Sequence, residues 1–123
     1  MADYKCTVTY ASKNLTNREK ILAKDTGNAV KLDELLNPGE KVVITPDYYV
    51  ILSVHNERSD TKDYEQYMII DKSGNKYYTG SPSFWESFTD ISEEMGDEEF
   101  SIECYKMESK NYKGKHFLTC SIV

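Results

Sequence analysis

Residues 100–123 read FSIECYKMESKNYKGKHFLTCSIV: two alternating apolar runs around a turn-rich basic stretch, residues 106–115, where Tyr112 stands between Lys110 and Lys113 and Gly114 permits tight backbone geometry. This pattern predicts a long β-hairpin with a cationic, aromatic tip. Successive side chains on a strand point to opposite faces. Phe100, Ile102 and Cys104 therefore share one face of the first arm, and Ser101, Glu103, Tyr105 and Met107 the other. In the second arm Leu118, Cys120 and Ile122 oppose Phe117, Thr119 and Ser121. The aliphatic and thiol sets form the natural core side. Tyr105 and Phe117 then fall on a more polar face close to the lysines. Bases can stack on rings held this way while lysines track phosphates, although rings that merely cover a sheet give the same local pattern.

Working outward, 123 residues are enough for one domain with a single modest core. Ten tyrosines and four phenylalanines favour strands over helices, so a globular, β-rich chain is expected. No window approaches the roughly 18 consecutive apolar residues of a membrane span. The amino terminus MADYKCTVTY lacks the charged and apolar regions of a signal peptide. The expectation is a cytoplasmic protein with no membrane partner. Cys6, Cys104 and Cys120 are three thiols at no metal-ligand spacing, each inside a strand-like run, and buried reduced thiols are expected.

A net charge of −6 argues at first against a nucleic-acid partner. Its distribution argues otherwise. Residues 86–103 hold eight acidic side chains and no Lys or Arg, whereas residues 1–32 carry six basic against three acidic, and residues 104–123 four against one. Screening over roughly 8 Å at physiological ionic strength lets a basic face act locally on an acidic protein.

Along the chain, residues 4–10 read as a half-buried strand with Tyr4, Cys6, Val8 and Tyr10 on one face. Residues 18–24, REKILAK, are short enough for a second strand, with a helix over residues 16–23 as the competing reading. Residues 30–36 are ambiguous between a strand end and a helical turn, and Pro38 and Gly39 end them. KVVIT at 41–45 is strand-like. YYVILSVH at 48–55 is the most hydrophobic run, with Val50, Leu52 and Val54 inward and Tyr49, Ile51, Ser53 and His55 opposite. Residues 56–63 read as a mobile polar loop. Residues 64–70 form another strand, and Asp71-Lys72-Ser73-Gly74-Asn75 is a hairpin turn into residues 76–79. The period then changes. Phe84, Phe88, Ile91 and Met95 make one helical stripe, with Ser81 and Pro82 at its start and Gly96 at its end. Trp85 is expected at the edge of the packed face, and Glu86, Asp90, Glu93 and Glu94 on a solvated one.

The sequence carries no recognisable catalytic pattern. His55 and His116 accompany no nucleophile motif, and the chain has no GxSxG, GxxxxGK, HExxH or CxxC. Neither enzyme chemistry, a metal nor a cofactor is expected. The order strand, strand, helix, strand, strand instead points to an OB-fold-like antiparallel β-barrel, one domain over residues 1–123, with one α-helix before the last two strands.

The Asp71 to Gly74 turn followed by Tyr77, the amphipathic helix after Ser81, and Ser109-Lys110-Asn111-Tyr112-Lys113-Gly114-Lys115 leading to Phe117, Leu118 and Ser121 resemble the small single-stranded DNA-binding proteins of phages and mobile elements of Gram-positive bacteria. A weaker similarity runs through residues 17–35. The resemblance implies an OB-like fold that coats exposed single-stranded DNA during replication or recombination without reading sequence. It also implies DNA contacts from Lys110, Tyr112, Lys113, Lys115 and Phe117. The acidic tail that cellular members of this functional class use for recruitment is expected to be missing, since the sequence closes on the strand-like CSIV. Arg18, Lys20 and Lys24 add candidate phosphate contacts, and Tyr105, Tyr49 and Tyr77 candidate stacking rings. Replication or recombination proteins are further expected partners, and the edge strand in residues 1–10 offers a homodimer contact. The rival reading is an acidic interaction or inhibitor module, in which residues 86–103 imitate nucleic acid toward a basic partner.

Overall fold

The structure, a computed structural model, describes residues 4–109 and 114–123; Lys110, Tyr112 and Lys113 lie outside the described residues. In chain order the elements are β1 (Tyr4–Ala11), α1 (Asn17–Lys24), β2 (Val30–Lys31), α2 (Leu32–Leu35), β3 (Lys41–Ile44), β4 (Pro46–Asn56), β5 (Asp63–Asp71), β6 (Lys76–Thr79), α3 (Pro82–Met95), β7 (Ile102–Glu108) and β8 (His116–Ile122). The fold is mainly β, in two sheets that do not close into a barrel. Partner choice is the reason. β3 pairs with β7, and β7 with β8, so the last hairpin builds a three-stranded sheet of its own. The remaining strands run in the order β1-β4-β5-β6-β2. The chain divides into two units, Met1–Val30 with Asp47–Gly80 and Lys31–Pro46 with Ser81–Val123.

In the first unit, β4 alternates as its sequence predicts, with Tyr48, Val50, Leu52 and Val54 buried beside Met68 and Ile70. Residues 18–24 are helical and not a strand. Thr16 caps α1 by accepting from the Glu19 amide at 3.1 Å, while the Glu19 carboxylate accepts from the Thr16 amide at 3.0 Å. This reciprocal capping box satisfies two amides that a helix start leaves unpaired, and it decides the ambiguity for helix. Ala23 of α1 is fully buried in the same core cluster. Lys76 ties down the other end of α1, its Nζ donating to the carbonyls of Leu22 at 2.9 Å and Asp25 at 2.6 Å. In β1 the register against β4 shifts between Val8 and Tyr10. One extra residue reverses the alternation beyond it. Ala11 consequently packs on the core where Tyr10 was expected, and Tyr10 is turned out to solvent. The β5–β6 turn is as predicted: Asp71 Oδ1 accepts from the amides of Ser73 and Asn75, and Gly74 takes φ of +88°, a conformation open to glycine at little cost.

In the second unit, Ser81 caps α3 by accepting from the Phe84 amide, Pro82 follows it, and Gly96 ends the helix with φ of +61°. Phe84, Phe88 and Trp85 are buried, and the Phe88 ring lies 5.2 Å from Trp85 and 6.4 Å from Phe100, centroid to centroid. Full burial of such a ring contributes about 1.5–3 kcal/mol. Helix α3 runs beside β8, where the Ser83 hydroxyl donates to the Leu118 carbonyl and the Ser87 and Thr119 hydroxyls bond at 3.2 Å. The helix thereby covers a sheet edge that would otherwise be free to pair with another chain. Ile44, Ile102, Cys104, Leu118 and Cys120 are buried on the core side of this sheet. Ile122, expected with them, is 49% exposed at the strand's end.

Candidate nucleic-acid interface

The β7–β8 register sets Tyr105 opposite Thr119 and Met107 opposite Phe117. The β3–β7 register sets Lys41 opposite Tyr105 and Val43 opposite Glu103. One side of this sheet therefore carries Lys41, Val43, Tyr105, Met107 and Phe117, with the core on the other; Thr119 shares that side but is buried at the α3 edge, where it bonds to Ser87. Phe117, Met107 and Val43 are exposed, and Tyr105 is half-buried. The hydroxyl groups of Tyr105 and Ser121 are hydrogen-bonded, which leans the ring across β8. Lys41 Nζ lies 5.5 Å from the Tyr105 ring centroid and 3.7 Å from the Glu103 carboxylate, so its charge is shared with an acid. Lys115 is exposed just before β8, after Gly114 with φ of +82°.

Tyr105, Phe117 and Lys115 thus belong to the same hairpin, and the two rings share a face as predicted. Lys106, counted in the basic stretch, belongs to the core side, because it stands opposite Leu118 and its Nζ donates to the Asp33 carbonyl at 2.7 Å. Lys41 and Val43 were missed as members of this face. Their alternation in KVVIT was visible, but the pairing that brings them beside Tyr105 was not.

The other named residues lie in the first unit and divide between two sides of its sheet. Arg18, Lys20 and Lys24 are exposed on α1, which packs through Ala23 on the core side. Tyr49 and Tyr77 are on the opposite side: Tyr49 stacks on Tyr10 with centroids 6.0 Å apart, and Tyr77 stands opposite buried Ile69. One nucleic-acid strand on one side of the sheet cannot use both sets.

Burial pushes the Cys120 thiol up to about 12, and burial together with the neighbouring Cys120 raises the Cys104 thiol. Both are therefore protonated at neutral pH, as expected of core cysteines. His55 lies between two carboxylates, Asp63 on Nδ1 and Glu57 on Nε2, each at 2.7 Å, and these hydrogen bonds raise its pKa. Among the described residues no group of His, Cys, Asp and Glu side chains could hold a metal ion, and no helix is long and apolar enough to cross a membrane. No protein-family model, curated protein or solved structure matches this chain.

Proposed function

We propose that this chain binds single-stranded DNA without reading its sequence, on the solvent-facing side of the β3-β7-β8 sheet. The observation that carries the reading is the register that sets Tyr105 and Phe117 on one open face away from the core. Bases would stack on these rings, each contributing about 1–3 kcal/mol, while Lys115 and the neighbouring Lys110 and Lys113 neutralise phosphates. Tyr112 adds a ring on the sequence reading alone. The exposed acids of α3 and the following segment repel a phosphate chain, which favours confinement of DNA to the lysine-bearing face. The chain order β4, β5, β6, α3, β7, β8 supports a relation to OB-like folds, and with it a role in phage-type replication or recombination in the cytoplasm beside other proteins of those processes. The test is fluorescence anisotropy with a labelled oligothymidine at two salt concentrations. Binding that weakens steeply with salt is expected. Folded protein that fails to bind at low salt refutes the proposal.

A second reading is favoured by one observation: Glu86, Asp90, Glu93, Glu94, Asp97 and Glu98 are all solvent-exposed. Such a surface suits a basic partner protein. Under that reading the protein ignores oligothymidine and captures a nucleic-acid-binding protein in a salt-dependent manner.

A further inference from the structure

In the last hairpin Cys104 stands directly opposite Cys120. Two backbone hydrogen bonds at the ends of the ladder identify the kind of opposition. The Ser109 amide donates to the Lys115 carbonyl, and the Val123 amide to the Ser101 carbonyl. Both pairs are therefore hydrogen-bonded ones, and hydrogen-bonded and non-hydrogen-bonded pairs alternate along an antiparallel ladder. Counted inward from either end, Cys104 and Cys120 form a non-hydrogen-bonded pair. The same count makes the Leu118 carbonyl point out of the ladder, where the Ser83 hydroxyl meets it. Non-hydrogen-bonded pairs hold their Cα atoms about 4.5 Å apart with side chains at their closest. That separation falls at the short end of the roughly 4.4–6.8 Å range that a disulfide spans.

We propose that Cys104 and Cys120 are a redox-modification site, forming a reversible cross-strand disulfide with a peroxide as oxidant. Cys120 is the entry point, being 6% exposed where Cys104 is wholly buried. Its thiolate attacks one oxygen of the peroxide, the O–O bond breaks, the other oxygen leaves as hydroxide and becomes water with the proton the thiol released, and a sulfenic acid remains on Cys120. The Cys104 sulfur then attacks the Cys120 sulfur, the S–O bond breaks, and water leaves with the Cys104 proton. In total the two thiols give up two electrons and two protons, and hydrogen peroxide becomes two waters. Burial of both thiols makes the reaction slow in the closed hairpin, since the thiolate is the reactive form. Oxidation therefore follows opening of the β7–β8 pair. Thiol–disulfide exchange with the thiolate of an added dithiol returns the pair to two free thiols.

Cys6, half-buried in the other unit, is the internal control. The experiment treats the full chain with hydrogen peroxide, denatures it, alkylates the free thiols with iodoacetamide, and measures intact mass and peptide maps without reduction. The expected result is the loss of two hydrogens, a peptide linking Cys104 to Cys120, one alkylated thiol at Cys6, and recovery of three alkylatable thiols after dithiothreitol. Urea below the unfolding transition should speed the reaction several-fold. Cys104 and Cys120 both still alkylatable after Cys6 has been consumed would overturn the proposal. So would cross-links that contain Cys6, or a Cys104–Cys120 bond that forms at the same rate with and without urea.

Discussion

Replacing Phe117 with alanine separates stacking from charge. Phe117 is 39% exposed on the open face of its sheet, so truncation removes only part of the burial of a full core ring, about 1–2 kcal/mol. A domain of ordinary stability, about 5–15 kcal/mol, survives that loss folded. If a base stacks on the ring, binding weakens by about 1–3 kcal/mol, or about 5- to 160-fold in Kd. The phenyl group neutralises no phosphate, so the slope of log K against log salt stays at its parent value. Lys115→Ala should do the reverse in part, lowering that slope by about 0.7. Anisotropy titrations of labelled oligothymidine at several salt concentrations read both quantities, with circular dichroism to confirm folding. A folded Phe117→Ala protein with unchanged Kd would refute the stacking argument. An altered salt slope in that variant would show that the change disturbed the cationic surface, and would refute the division of labour between rings and lysines.

Three further outcomes follow from the geometry. Lys76→Met removes two charge-assisted bonds from the C-terminal carbonyls of α1 and, with partial solvent screening, should cost about 1–2 kcal/mol in urea denaturation and speed amide exchange in α1; an unchanged midpoint would count against the anchoring role. Phe88→Ala empties a fully buried site beside Phe84, Trp85 and Phe100 and should cost about 3–5 kcal/mol in thermal or chemical unfolding; a loss below about 1 kcal/mol would show that the site is not packed as described. His55 can serve both carboxylates only as imidazolium, with both ring nitrogens donating. Lys5, opposite His55 on β1, and Lys62, paired with Glu57 at 3.2 Å, are the cations nearby, and Arg58 and Asp60 are charged neighbours in the loop. Because the folded pKa is raised above 6.5, the stabilisation is complete below 6.5 and fades as pH rises through the folded value. At the acid end it fades as pH falls below 4.5, the ordinary value of Glu57, through that residue's lowered folded one. An NMR titration of His55 should give an apparent pKa above 6.5, and a value at or below it would rule the clamp out.

Helix α3 was legible in the sequence from its cap, its stripe and its terminal glycine, because each signal lies within one or two turns of the residue it acts on. The Asp71–Gly74 turn and the inward set of β4 were legible for the same reason. The face shared by Tyr105 and Phe117 also followed from alternation alone. Residues 18–24 are open between strand and helix on apolar spacing alone, because the run is too short to separate the two periods; the Thr16 and Glu19 capping pair, three residues apart, is the local signal that decides for helix.

The tertiary structure alone decided the rest. Strand order in the chain suggests a barrel, but it is not strand order in space. Lys41 pairs with Tyr105 across 64 positions of sequence, and nothing local to either residue encodes that choice, which depends on which strands bury the most apolar surface together. The bulge in β1 reversed the side on which Tyr10 emerges, and the docking of α1 placed Arg18, Lys20 and Lys24 on the side of their sheet away from Tyr49. Short-range pattern sets which way a side chain points within its own strand or helix. Only long-range pairing sets which other side chains it meets there.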